Sequence, residues 1–256
     1  AAMAASAAFA VVLGIPTLQL RGDYLAIVTI AAAEIVRLLL LSTTWIETTG
    51  SADGLVAYAN DFRDINPFPN GDYGFGPWSY TANQFWVLLF GLVVLALSAL
   101  LIWRLVNSPW GRVIKGIRED EDAVRSLGKN VFAYKMQALV VGGVIAGLGG
   151  ALYVLPSSAN PMLFATSLTF FVWTALLLGG AATIFGPLLG AVIFWVLQAF
   201  LGSILPAMAE VGLLGGLSSS QAGALRFVLV GILLVLIVVI RPQGIVGDKR
   251  ELTFVK

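Results

Sequence analysis

Two long stretches of this chain, residues 73–103 and 136–209, carry no charge at all. A helix needs about 20 apolar residues to cross the hydrocarbon core of a bilayer. A soluble domain carries about 25% charged residues; here the figure is 11%, with 59% hydrophobic residues and a mean hydropathy of +0.92. Such a chain cannot cover itself with polar surface in water. An outer-membrane barrel would alternate in polarity over segments of about 10 residues, and no such alternation is present. The fold class is therefore all-α, a polytopic helical transmembrane protein. Its apolar segments run 1–18, 24–41, 83–103, 136–155, 163–180, 186–206 and 225–240, about seven crossings. The opening "AAMAASAAFA" has no basic n-region. It reads as the middle of a span, with further N-terminal sequence expected upstream.

Orientation follows from Lys and Arg in the connections, because basic residues are retained on the cytoplasmic side. Residues 104–135 hold Arg104, Arg112, Lys115, Arg118, Arg125, Lys129 and Lys135, and the tail 241–256 holds Arg241, Lys249, Arg250 and Lys256. Residues 42–82 hold only Arg63, against Glu47, Asp53, Asp61, Asp64 and Asp72. The segment 104–135 and the C-terminus are thus expected in the cytoplasm and 42–82 outside, with Arg21 inside. The outer loop is rich in turn formers and aromatics, as in "INPFPNGDYGFGPWSY". Those rings suit an interfacial belt or a docking surface for an external partner.

Between the two uncharged runs stands a charged island, "SPWGRVIKGIREDEDAVRSLGKN", at 108–130. Ser108 is a favoured N-cap and Pro109 suits the first helical position. Glu119, Asp120, Glu121 and Asp122 crowd the start of a second short helix, and Arg125 lies in its last turn. Acids at the N-terminus and a base near the C-terminus complement the helix dipole. Gly128 fits the position after the helix, which favours a left-handed residue. A solvated connector enforcing topology would explain the basic residues. The four consecutive acids add little to orientation, and a surface shaped to fit a partner accounts for both signs.

Other candidates lie in or near the spans. Glu34 and Arg37 are three apart, share a helical face and can pair; they and Asp23 are the charges nearest the first spans. Ionisable groups within spans are costly and face the interior. The pair reads as a lock between helices, with a polar gate for a zwitterion as the alternative. Gly143 with Gly147, and Gly186 with Gly190, have spacings that let helix backbones approach closely. Gly179, Gly180 and Gly186 flank a charge-free bend, and irregular backbone at membrane depth must line protein or a water-filled path. The segment 176–190 is thus a candidate pathway element. "LSSSQ" at 217–221 is similar to the LSGGQ signature of ABC ATPases. With no G-x-x-x-x-G-K-[ST] in the chain to cradle phosphates, it reads as a turn before the last span.

Asp122-Ala123-Val124, followed after three residues by Gly128, resembles the degenerate Glu-Ala-Ala-x-x-x-Gly loop of bacterial ABC importer permeases. "LQLRGDYLAIVTIAAAEIVRL" at 18–38, "GRVIKGIREDEDAVRSLGKNV" at 111–131, "VIAGLGGALYV" at 144–154, "LLLGGAATIFGPLLGA" at 176–191 and "RPQGIVG" at 241–247 together resemble the LivM-type permeases of branched-chain amino acid transporters. The resemblance implies one permease domain over 1–256. It implies that Arg118, Glu119, Asp120, Glu121, Asp122, Ala123, Arg125 and Gly128 form a coupling helix seated in a cleft of an ATPase. The partners it implies are a homologous second permease, two ABC ATPases carrying ATP and Mg, an extracytoplasmic substrate-binding protein and membrane lipid, with no nucleic acid. No cofactor is expected in this chain. The implied place is the bacterial inner membrane, and the implied substrates are branched-chain or hydrophobic amino acids, with urea or short amides as the alternative.

Two other classes compete. An ion-coupled secondary transporter works through intramembrane Asp, Glu or His, but the chain has no His and 136–209 offers no titratable acid or base. A membrane-embedded enzyme needs nucleophiles, bases or metal ligands, and with neither Cys nor His this chain lacks the commonest of them. A transporter subunit without its own nucleotide site is the expectation.

Overall fold

The structure is a computed structural model that describes residues 1–19, 22–55, 58–75, 78–181, 183–212, 218–241 and 243–247. Arg21 and Lys249, Arg250 and Lys256 of the tail lie outside the described residues. The chain divides into two units, Ala1–Thr166 and Ser167–Lys256.

The first unit holds α1 (Ala2–Thr17), α2 (Gly22–Leu41), α3 (Ile46–Thr49), α4 (Asn60–Asp64), α5 (Ala82–Asn107), α6 (Pro109–Glu119), α7 (Glu121–Ser126) and α8 (Val131–Val154). Packing centres on α1 against α8. The reason is backbone approach at small residues: a Cβ added to Gly143 would lie 3.1 Å from Ala10 Cβ, and one on Gly14 2.7 Å from Met136 Sδ. Gly147 meets Ser6 still more closely. The Gly143/Gly147 stripe is therefore where α1 seats.

The 42–82 connection is ordered by its own polar groups. Thr49 Oγ1 and Ser51 Oγ donate to the last carbonyls of α2, Leu40 O (2.9 Å) and Leu41 O (2.6 Å). Those carbonyls have no partner within their own helix, so the loop folds back over the helix end. Leu55 and Ala159 exchange backbone hydrogen bonds of 3.0 and 3.1 Å, and Asn160 Nδ2 donates to Ala52 O at 2.6 Å. The 42–82 and 155–165 connections thus meet at one end of this unit.

An antiparallel hairpin, β1 (Asp72–Phe75) with β2 (Trp78–Thr81), leads into α5. Thr81 caps α5 and Gln84 bonds back to it. Rings of the loop pack on the first turns of α5: Tyr73 stacks on Phe85 with centroids 5.2 Å apart, and Phe62 meets Phe90 at 5.0 Å. The hairpin is an addition to the expected helical plan, and its physical basis is this aromatic clustering.

The second unit holds α9 (Thr166–Gly179, which begins at the unit boundary), α10 (Gly186–Glu210) and α11 (Ser219–Ile240), with α10 and α11 packed together. Ala175, Leu178, Phe194 and Val230 form its buried core, flanked by Phe171, Ala191 and Ile237. Residues 218–221 of the "LSSSQ" stretch start α11: Ser218 is the N-cap and Gln221 closes a capping box, while residue 217 lies outside the described set. The motif is a helix start.

Helices occupy all seven expected apolar segments. Among the described residues five are long and apolar enough to span a bilayer: Tyr24–Leu41, Ala82–Asn107, Val131–Val154, Gly186–Glu210 and Ser219–Ile237. α1 has 16 residues and α9 has 14. At 1.5 Å per residue α9 reaches only about 21 Å, short of the roughly 30 Å hydrocarbon core. Its apolar run is shortened because Asn160 caps a 3-10 turn over Pro161–Phe164 at one end and Gly180 stops the helix at the other.

Candidate functional site

The charged island is two helices joined at an extended residue. Ser108 Oγ accepts from Gly111 N at 3.3 Å and opens α6. On α6, Gly111 and Ile117 are buried, while Arg112, Lys115, Arg118 and Glu119 face out. Asp120, at φ −152° and ψ 105°, ends α6 and caps α7, its Oδ1 accepting from Ala123 N at 3.0 Å. Arg125 then donates to Asp122 Oδ1 (3.0 Å) and Glu121 Oε1 (2.9 Å). Exposed ion pairs contribute only about 0–1 kcal/mol each, so these pairs orient the surface more than they stabilise it. The helix ends do more. Gly128, at φ +75°, donates its N–H to Arg125 O (3.0 Å), and Lys129 N reaches Val124 O (3.4 Å). That is a Schellman closure around a left-handed glycine.

Two bonds tie the island to α8. Trp110 Nε1 donates to Gln137 Oε1 at 2.8 Å, and Lys135 Nζ pairs with Glu121. Glu121 therefore bridges Arg125 and Lys135, joining α7 to the second turn of the long helix. The four consecutive acids do not converge, and among the described residues no group of His, Cys, Asp or Glu could hold a metal ion.

Glu34 and Arg37 pair directly along α2. Thr166 Oγ1 donates to Glu34 Oε2 at 3.1 Å, and Arg37 Nη1 lies 3.8 Å from Met162 Sδ. The pair thus reaches from α2 to the 161–166 turn and joins two segments far apart in sequence. That arrangement favours the lock. Glu34→Gln is expected to lower the melting temperature of the purified protein by about 3–8 °C. The swapped variant Glu34→Arg with Arg37→Glu should recover part of that loss. A changed substrate preference at an unchanged melting temperature would make the pair a gate instead.

In the second unit the bend after α9 is closed by backbone. Gly180 sits at φ +115°. Thr183 Oγ1 donates to Gly180 O (3.2 Å) and accepts from Gly186 N (2.9 Å). Gly179, Gly186 and Gly190 face one another so closely that any Cβ would strike main-chain atoms. The segment 243–247 completes the bend: Ile245 N donates to Leu178 O (2.9 Å) and Val246 N to Gly179 O (3.1 Å). Residues 243–247 thus cap the carbonyl end of α9.

Sequence reasoning passed over two groups. Gln198 on α10 is 6% exposed, and its Oε1 has no hydrogen-bond partner. Arg226 on α11 is half-buried, with an unpartnered, buried Nε. Arg226 is the one cation between Lys135 and Arg241. That isolation was the available signal, hidden because the residue stands at the start of an apolar run.

The chain matches the family model described as "Branched-chain amino acid transport system / permease component" over residues 1–238. It is 32% identical to the high-affinity branched-chain amino acid transport system permease proteins LivM of Salmonella typhimurium and of Escherichia coli, over 96% and 97% of this chain respectively. It is 28% identical, over 93% of its length, to the probable branched-chain amino acid transport permease protein LivM of Methanocaldococcus jannaschii. The matches span 56% of each of the first two relatives and 64% of the third. No solved structure matches significantly. With apolar helices long enough to span a bilayer, a capped charged helix pair and a family match over nearly its whole length, this multi-pass membrane protein belongs to the branched-chain amino acid transport permease family.

Proposed function

We propose that the chain is a membrane-spanning subunit of an ATP-driven importer in the bacterial inner membrane. It forms part of the path for branched-chain or hydrophobic amino acids and hydrolyses no nucleotide itself. ATP and Mg are held by two ATPase subunits on the cytoplasmic side, where the C-terminus also lies. A second, homologous permease completes the path, and an extracytoplasmic binding protein delivers substrate to the side bearing 42–82. The observation that carries this reading is the attachment of the island to α8. α7 is closed at both ends by its own caps, so it can be pushed as a rigid body. Trp110–Gln137 and Glu121–Lys135 pass that push to a helix of 24 residues. Conformational work done on the ATPase thereby reaches the bilayer through contiguous contacts.

A cysteine placed at Asp122 or Arg125 tests the assignment against a clean background, since the chain has no cysteine. In the assembled transporter, Asp122→Cys is expected to crosslink to the ATPase subunit with a yield that changes on nucleotide binding. Labelling of that position by an impermeant reagent from outside would reverse the orientation. Inside labelling with no crosslink would reduce the island to a solvated connector.

A further inference from the structure

The last turn of α11 does not pack flush against its neighbours. Leu236, Ile237 and Ile240 line one side of a hollow of about 210 Å³, with Leu178 at the end of α9 and Ile245 of the returning segment on the other. Main chain fixes the return. Gly244, at φ +76°, lies against the Gly180 backbone, where a Cβ on it would come 2.6 Å from Gly180 Cα. The hollow is thus built into the bend that caps α9.

No polar atom opens into this space. A buried water needs about two to four polar partners, and an apolar cavity of roughly 150 Å³ stays dry and takes an apolar ligand instead. Arg241 is also part of the lining, yet it is exposed. Its aliphatic stem therefore borders the hollow while its guanidinium stands outside, as long cationic side chains do at apolar surfaces. Among the described residues no carboxylate pairs with Arg241. The sequence from Arg241 onward adds Lys249, Arg250 and Lys256 against Asp248 and Glu251, so this end of the chain is net positive. An apolar hollow with a cationic rim fits a molecule that has both an apolar tail and an anionic head.

We propose that the hollow holds an acyl chain of an anionic phospholipid, with the phosphate of its head on Arg241. Leu236 and Ile237 belong to the membrane-spanning stretch Ser219–Ile237, so the hollow begins at the depth of lipid chains, which a soluble partner does not reach. The acyl chain covers Leu236, Ile240 and Ile245, all exposed in this chain by itself, and clamps 243–247 onto α9. A zwitterionic phospholipid offers the same tail without the net negative charge that draws a lipid to basic residues at a membrane surface. The proposal goes beyond the importer reading and holds whatever the complex imports.

The test uses the complete transporter in nanodiscs, with cysteine-free partner subunits and Val246→Cys carrying a fluorophore excited apart from tryptophan. Val246 is exposed beside the hollow. Phosphatidylglycerol and phosphatidylcholine, each with a nitroxide on its acyl chain, are the probes. Phosphatidylglycerol is expected to reach half-maximal quenching at an about fivefold lower mole fraction, the worth of one basic residue at an anionic surface. Arg241→Gln should bring the two lipids level, and Ile240→Trp, which fills the hollow, should weaken quenching by both. A preference that survives Arg241→Gln would place the head elsewhere and overturn the proposal. Quenching unchanged by Ile240→Trp would mean attraction by charge alone, without the hollow, and overturn it too. Equal quenching by the two lipids in the Val246→Cys parent, as when a side chain of an ATPase fills the space, is the third result against it. None of these measurements involves uptake, so a failure of the importer reading would leave them standing.

Discussion

Replacing Gly128 with valine is expected to reduce substrate uptake and substrate-stimulated ATP hydrolysis together, by tenfold or more, while the protein inserts at normal levels. The glycine lies in open space, with nothing within 4 Å of a Cβ built on it. Any effect must therefore come from the backbone. At φ +75° a residue other than glycine incurs roughly 1–2 kcal/mol, and a β-branched one more. That is too little to unfold the chain but enough to release the Schellman closure and with it the end of α7. Gly128→Asn supplies the control, because asparagine tolerates the left-handed region; it should keep most of the activity. The outcome that would sink the assignment is Gly128→Val importing at the wild-type rate, for then the helix end plays no part in coupling.

The second large effect is expected at Gly180. Valine there meets two separate obstacles. The residue sits at φ +115°, and a Cβ would lie 2.9 Å from both Gln243 O and Gly247 N. Both obstacles are main chain, so no side chain can move aside. Overpacking costs about 1–3 kcal/mol on top of the backbone strain. Gly180→Val should therefore detach the 243–247 segment, expose Leu178 O and Gly179 O, and lower the amount of folded protein in the membrane several-fold. Gly142→Val, on a helix with open space around it, is the matched control and should leave that amount unchanged. Equal levels of the two variants would show that the tail does not hold the bend.

Much of the island was legible because its determinants are local. Ser108 with Gly111, Asp120 with Ala123, Glu121 with Arg125, and Arg125 with Gly128 are all within four residues of each other. Caps and pairs at that spacing follow from helix geometry, whatever the rest of the chain does. Glu34 and Arg37 are legible for the same reason, although their contacts to Thr166 and Met162 are not.

By itself the sequence determined that the chain spans a membrane, where its apolar helices lie and how the charged helix pair is capped. Composition sets the solvent, and short-range hydrogen bonding sets the helix ends. Only the tertiary structure decided which faces meet. The spans are apolar on every side, so no polar stripe announces which side is buried. Nothing local indicates that α1 would seat on Gly143, that 243–247 would return to cap α9, or that Arg226 would rest against Gly202. Those choices depend on how closely backbones separated by tens of residues can approach. That distance is set by the glycines of both partners together and cannot be read from either one alone.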